Sequence, residues 1–202
     1  MAAGHAFQND CCIEITMSDE RNKNRLFITF QYRLEKPGFH WGLLLSPKSE
    51  SDDREDRDSH LFHVINTFSP GVPVASKQNP GWRYEEKPVN VLRSHTMTAR
   101  VLIAKLTGTE SVEVQAQRIH RVLRNIPLVQ NDDRWTCRVW VEQALMTLKA
   151  LGGEFGAIPD LRDGGSLEQE VKDFAEKAKA SILKGKLIVN SKDLAQLDLR
   201  GR

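Results

Sequence analysis

The chain has 202 residues, of which 40% are hydrophobic and 28% are charged, a balance typical of one globular domain and not of a disordered chain. Its 29 basic and 27 acidic residues give a formal net charge of +2, which is too small to indicate a nucleic-acid partner. No apolar run approaches the roughly 20 residues that cross a bilayer, and no signal-peptide pattern opens the chain. We therefore expect a cytoplasmic protein without a membrane anchor, and the oligomeric state stays open.

The first half of the chain has the pattern of strands. Side chains alternate over residues 26–34 with the period of two that a half-buried strand requires. Further segments of strand length lie at residues 39–45, 61–66, 82–84, 89–92 and 100–106. Residues 48–59 carry mixed charges and almost nothing apolar, which predicts a solvated loop.

The second half changes to helical spacing. Apolar residues mark one face of a helix over residues 112–126 and of another over 137–151, which ends at a pair of glycines. A third helix is predicted over residues 166–182, and a short strand over 187–189. Strands followed by helices predict an α+β fold, an antiparallel sheet packed on one side by helices. We expect a single domain over residues 1–202, with a core at 25–150 and a C-terminal helical extension at 160–202.

Cysteine use favours free thiols. Cys11 and Cys12 are neighbours, and adjacent Cα atoms at about 3.8 Å lie closer than the usual ~4.4–6.8 Å of a disulfide. Together with Cys137 they make an odd number, which is typical of a reducing compartment when no signal peptide precedes. No Cys-x-x-Cys or His-x-x-x-His pair occurs, so we expect no structural zinc and no cofactor.

Three residues together could support thiol chemistry: His40 at the start of an apolar strand, His63 inside the next strand, and Cys137 at the start of a helix. The positive end of the helix dipole favours a thiolate, and a histidine can act as its general base or ion-pair partner. A second polar group then fixes the tautomer of that histidine, and backbone N–H groups at the helix start can bind an oxyanion.

Each of these residues also has a purely structural interpretation. A free cysteine in an apolar stretch is often part of the core, and a histidine within a strand often has only a structural hydrogen bond. His40 and Trp41 could form an aromatic packing pair. Asn66 is an alternative to His63 as the residue that orients the base.

The stretches FHWGLLLSP (39–47), LFHVIN (61–66) and WTCRVWVEQAL (135–145) resemble the circularly permuted branch of the NlpC-type papain-like hydrolases, in particular the lecithin:retinol acyltransferase-like group. In that group a His-Trp strand precedes a second histidine strand, and a helix that begins with Asn-Cys-Glu follows later. The resemblance implies a permuted papain-like order of elements. It also implies that His40 is the base, His63 the orienting residue and Cys137 the nucleophile.

The chain departs from this group beside the cysteine, where Thr136 replaces the asparagine and Arg138 the acidic residue. The two histidines also lie 23 residues apart, with the charged segment between them. The neighbours Trp41, Trp135, Thr136 and Arg138 are the candidate substrate-binding residues. Because the chain ends without the hydrophobic anchor of the group's lipid-acting members, we expect a soluble substrate, either a small molecule or a peptide.

The leading hypothesis is a cysteine-dependent hydrolase or acyltransferase that acts through a thioester on an amide, ester or thioester. The alternative is a non-catalytic binding or interaction protein on the same scaffold, which the changes at Thr136 and Arg138 keep open. A third possibility is a charged-ligand or nucleic-acid binder that uses Arg118, Arg121 and Arg124 on one helix, although such a face is usually only solvated.

Overall fold

The computed structural model describes residues 23–34, 36–67, 80–108 and 110–202. Within them six strands form one sheet: β1 Asn24–Tyr32, β2 Phe39–Ser46, β3 Ser59–Ile65, β4 Arg83–Val89, β5 Met97–Leu106 and β6 Ala195–Asp198. Three helices follow β5: α1 Val112–Leu123, α2 Cys137–Ala150 and α3 Ser166–Leu183. The predicted mixed α+β class is therefore confirmed. Cys11 and Cys12 lie outside the described residues.

The strands lie in the order β4-β3-β2-β1-β5-β6. Neighbours are antiparallel, as predicted, except β5 and β6, which run parallel at one edge of the sheet. The parallel pair arises because all three helices intervene between β5 and β6, which gives the chain room for a crossover connection.

The helices share one core with one face of the sheet. Alternate residues of β1 and β2, such as Ile28, Phe30 and Leu43, point into this core and are fully buried. All three helices contribute buried residues to it, among them Trp140 of α2 and Val171 of α3. The C-terminal helix is thus packed into the same core as residues 25–150.

Shorter elements cover the other face. Phe27, Leu44 and Leu102 pack there with a 3₁₀ turn at Val91–Arg93 and with Leu194. The charged segment at 48–59 is largely exposed, as predicted, but it also lies over this face. Its Glu50 side chain is 4% exposed and forms an ion pair with the equally buried Arg100 of β5, whose guanidinium stacks on the Phe27 ring. A charge pattern does not reveal a buried partner of opposite sign elsewhere in the sequence.

The strand predicted at 82–84 is the start of β4, which continues through the charged stretch to Val89. Two other strand predictions were wrong. Beyond Val89 the strand predicted at 89–92 is replaced by the 3₁₀ turn at Val91–Arg93. The strand predicted at 187–189 is absent, and Leu187 and Val189 are 77% and 67% exposed. The chain pairs with β5 only after Leu194, where β6 begins. No helix in the described part of the chain is long and apolar enough to span a membrane.

Candidate functional site

Cys137 is the first residue of α2, and its sulfur lies against β2. The backbone N–H of Trp41 donates to Sγ at 3.4 Å, and the guanidinium of Arg33 donates to it at 3.5 Å. Thr136 is the N-cap of the helix but makes no side-chain capping bond, so the helix N-terminus remains available to an anion. The sulfur therefore lies among three sources of positive potential: a backbone N–H, a guanidinium and the start of a helix.

A chain of hydrogen bonds runs across the neighbouring strands. Nε2 of His40 lies 2.9 Å from Nδ1 of His63, and Nε2 of His63 lies 2.8 Å from the carboxylate of Glu85 on β4. Lys87 completes the chain with an ammonium group 2.8 Å from the same carboxylate oxygen. His63 and not Asn66 is thus the residue that the structure brings to His40.

Gly42 allows the two histidine strands to approach closely. A Cβ atom at this position would lie 3.2 Å from both the Cβ of His63 and the carbonyl oxygen of Phe62, closer than most real contacts. The β2–β3 pairing covers Leu43 to Leu45, and His40 lies just beyond it. A glycine at this point lets His63 reach the ring of His40 without spreading the strands.

Two residues of this hydrogen-bonded series, Glu85 and His40, have lowered pKa values. The hydrogen bond from His63 is the main factor that lowers the pKa of Glu85, to about 2, so this carboxylate is ionised at neutral pH. Burial, followed by the nearby positive groups of His63, Arg33 and Lys87, lowers the pKa of His40 to about 3. His40 is therefore neutral at physiological pH.

The hydrogen bonds determine which nitrogen of His40 stays outside the chain of contacts. An ionised carboxylate only accepts, so Nε2 of His63 donates to Glu85. Nε2 of His40 is occupied by its bond to Nδ1 of His63. Nδ1 is therefore the ring nitrogen of His40 that this hydrogen-bonded chain leaves over.

Two clefts meet near Cys137. The larger, of about 850 Å³, is lined by His40, His63 and Glu85 and walled by aromatic side chains that include Trp82 and Trp135. The smaller, of about 390 Å³, is lined by Cys137 and Trp41 and faces α3. Arg33 and Thr136 line both clefts, so they form the boundary between them.

The thiol of Cys137 and the imidazole of His40 are not directly bonded. Trp41 packs in the helix-side core, whereas His40, the preceding residue, points to the opposite side of the strand and lines the larger cleft. Cys137 is 1% exposed, and no hydrogen bond joins it to His40 among the described residues. The thiol therefore lies beneath the floor of the smaller cleft, held by backbone and guanidinium donors.

The four predicted substrate-binding residues have different environments. Trp41 packs edge-on against Phe30, and Trp135 packs edge-on against Trp82 with 5% of its surface exposed. Thr136 lines both clefts. Arg138 lines the smaller cleft, but its guanidinium is bound by carboxylates that hold the starts of α2 and α3 together: Asp163 at 2.6 Å and Glu168 at 2.7 Å.

Sequence reasoning missed Arg33 and Glu85. Arg33 directly follows β1, and nothing in its surroundings in the sequence indicates contact with a cysteine 104 positions later. Glu85 belongs to β4, whose residues RYEEKPV contain too few apolar side chains to show alternation. The pairing of β4 with β3 places Glu85 directly opposite His63.

One of the three arginines considered for nucleic-acid binding, Arg118, is engaged in ion pairs. Arg118 forms an ion pair with Glu154 and another with Glu110.

No group of three or more potential metal ligands occurs among residues 23–34, 36–67, 80–108 and 110–202.

Comparison with known protein families identifies the family of this chain. Residues 23–186 match the model of a family of unknown function, DUF6914. The chain belongs to this family. The matched range contains every residue of the site described above, from Arg33 to Cys137. Searches of the curated proteins and of the solved structures find no match.

Proposed function

We propose that this member of the DUF6914 family is a cysteine-dependent hydrolase or acyltransferase that acts through a thioester at Cys137. The observation that carries the proposal is the hydrogen-bonded chain Glu85–His63–His40, which lies one residue along β2 from the backbone N–H that binds the Cys137 sulfur. A nucleophile, a base and a group that orients the base are the recurring parts of thiol acyl transfer.

The proposed reaction begins with transfer of the Cys137 thiol proton to Nδ1 of His40 in the substrate complex, where catalytic hydrogen bonds shorten. The thiolate attacks the carbonyl carbon of an amide, ester or thioester, and the leaving group departs with the proton from His40. Water or an amine then attacks the thioester and releases the thiol. Free N–H groups at the start of α2 would stabilise the oxyanion of each tetrahedral intermediate.

The proposal includes the kinship with the permuted papain-like hydrolases that the sequence motifs suggest. It is supported by the order of the elements, since both histidine strands precede the cysteine helix. It is also supported by the bond between His40 and His63, the two residues that the resemblance assigns as base and orienting group.

A reactivity measurement tests the proposal. Iodoacetamide at about pH 6 should label Cys137 faster than Cys11 and Cys12, because the proposed base and the neighbouring hydrogen-bond donors assist loss of its proton when the reagent is attacked. Replacing His63 by asparagine should slow the labelling by about tenfold, since His40 loses the partner that orients it.

The matched control is His60→Asn. His60 also lies on β3 and is also bonded to a glutamate of β4, Glu86 at 2.6 Å, but it points away from His40. This variant should label at the wild-type rate. Labelling of Cys137 that is no faster than that of the other two cysteines would contradict the proposal, and so would equal slowing by both substitutions.

A second candidate function is ligand binding without chemistry. It is favoured by the 1% exposure of Cys137 and by the absence of a direct bond between Cys137 and His40 in the described residues. In this case the aromatic and polar walls of the larger cleft bind a small molecule, and Cys137 is a core residue. Slow labelling of a correctly folded protein would support this function.

A further inference from the structure

Arg33 lies beside the Cys137 sulfur and at the border of both clefts. One of its terminal nitrogens, Nη2, contacts the sulfur of Cys137 at 3.5 Å, and its side chain lines both clefts. The guanidinium forms no ion pair with any carboxylate of the described residues. A guanidinium has five N–H donors in a planar fork, so most of its donor capacity remains for a bound molecule.

The surrounding acidic groups are largely occupied. In the larger cleft Glu85 binds His63 and Lys87, and Asp132 binds Arg134, while Asp133 is exposed. In the smaller cleft the acidic side chains belong to α3. Asp173 accepts a bond from Gln169, and Glu176 is paired with Lys179. Because Arg33 borders both clefts, an anion can reach its guanidinium from either one.

We propose that Arg33 makes the site selective for acyl donors that carry a carboxylate close to the reacting carbonyl. This inference rests on the proposed function and specifies its substrate class. A carboxylate oxygen accepts from a guanidinium at about 2.9 Å. Because the sulfur lies 3.5 Å from the same guanidinium, the carboxylate and the carbon attacked by sulfur can be only a few bonds apart.

Two alkylating reagents separate this selectivity from thiol reactivity. Iodoacetate and iodoacetamide both form a bond from sulfur to their CH₂ carbon and release iodide, but only iodoacetate carries a carboxylate next to that carbon. Neither reaction forms an oxyanion, so the ratio of the two rates reports the effect of the reagent's negative charge without any oxyanion stabilisation. The neutral reagent reports the general effect of Arg33 on the thiol.

The experiment measures this ratio for Cys137 in the wild-type protein and in Arg33→Gln, Arg33→Lys and Lys36→Gln. The ratio of iodoacetate to iodoacetamide rates should fall by about tenfold in Arg33→Gln, which corresponds to about 1.4 kcal/mol. Arg33→Lys should retain part of the preference, because it keeps the charge without the fork. Lys36→Gln removes one positive charge from the larger cleft without touching the sulfur, and it should leave the ratio near the wild-type value.

The outcomes distinguish this inference from the proposed function. Fast alkylation of Cys137 by iodoacetamide with the same ratio in wild type and Arg33→Gln overturns the carboxylate selectivity and leaves the thiol chemistry intact. An equal loss in Lys36→Gln and Arg33→Gln also overturns it, since general charge would then be responsible. If neither reagent alkylates Cys137 in the folded protein, both the proposed function and this inference fail.

Discussion

Gly42 lies so close to β3 that we expect Gly42→Ala to lower both the stability of the protein and the labelling rate of Cys137. The added Cβ would lie 3.2 Å from the carbonyl oxygen of Phe62 and 3.2 Å from the Cβ of His63, with Leu61 at 3.3 Å. Two of these three neighbours are backbone or Cβ atoms, which cannot rotate away. The strands must therefore separate by a few tenths of an ångström at the point where His63 meets His40.

Overpacking of this kind costs about 1–3 kcal/mol. For a chain of this length each kcal/mol lowers the midpoint of thermal unfolding by about 2–4 °C, so a decrease of roughly 2–12 °C is expected. The separation also lengthens the 2.9 Å bond between His40 and His63, and iodoacetamide labelling of Cys137 should slow by several-fold.

Thermal unfolding and alkylation kinetics measure the two effects on the same samples. Gly156→Ala serves as the control, because its Cβ would lie 3.3 Å from the carbonyl oxygen of Gly153, away from the histidines. This variant should lose some stability and keep the wild-type labelling rate. A Gly42→Ala protein with unchanged midpoint and labelling would refute the claim that Gly42 sets the spacing of the two histidine strands.

Two further substitutions test the ion pairs. Glu50→Gln should lower the free energy of unfolding in urea by about 3 kcal/mol, because it leaves the buried Arg100 without its counter-charge, whereas Glu55→Gln at an exposed pair with Arg93 should change it by less than about 0.5 kcal/mol. Similar losses in both variants would contradict the burial of Glu50. The lowered pKa of Glu85 contributes stability that is fully present above pH 4.5 and is lost as the pH falls towards 2, so unfolding of the wild type should depend on pH more steeply in this window than unfolding of Glu85→Gln. The difference should be about 1 kcal/mol because the carboxylate is about one third exposed, and parallel pH profiles would show that the bond to His63 does not stabilise the fold.

Local pattern was sufficient to predict much of the fold. The apolar alternation of β1 and the helical spacing of α1, α2 and α3 give elements within a few residues of the observed ones. The extent of the charged strand β4 could not be predicted, because its stability comes from pairing with β3 and not from its own apolar residues. The burial of Glu50 could not be predicted for a related reason, since it depends on Arg100, 50 positions away.

In the candidate site, too, the sequence reveals local features but not contacts between distant residues. The identities of His40, His63 and Cys137 carry chemistry that can be recognised from residue type and local context. Their mutual geometry depends on strand register and on the angle of a helix, neither of which a single sequence encodes locally. The roles of Arg33 and Glu85 emerged only from the contacts of those side chains with the sulfur and with His63.

The most direct test of the link between Cys137 and the histidine chain is to trap the acyl-enzyme. The protein is mixed with p-nitrophenyl acetate and quenched early, and the Cys137 peptide is examined by mass spectrometry for an acetyl thioester. We predict rapid acetylation of Cys137 in the wild type and in His60→Asn, and a strongly reduced rate in His40→Asn. Acetylation that does not depend on His40, or a Cys137 that stays unmodified in the folded wild type, would contradict a nucleophilic cysteine served by that imidazole.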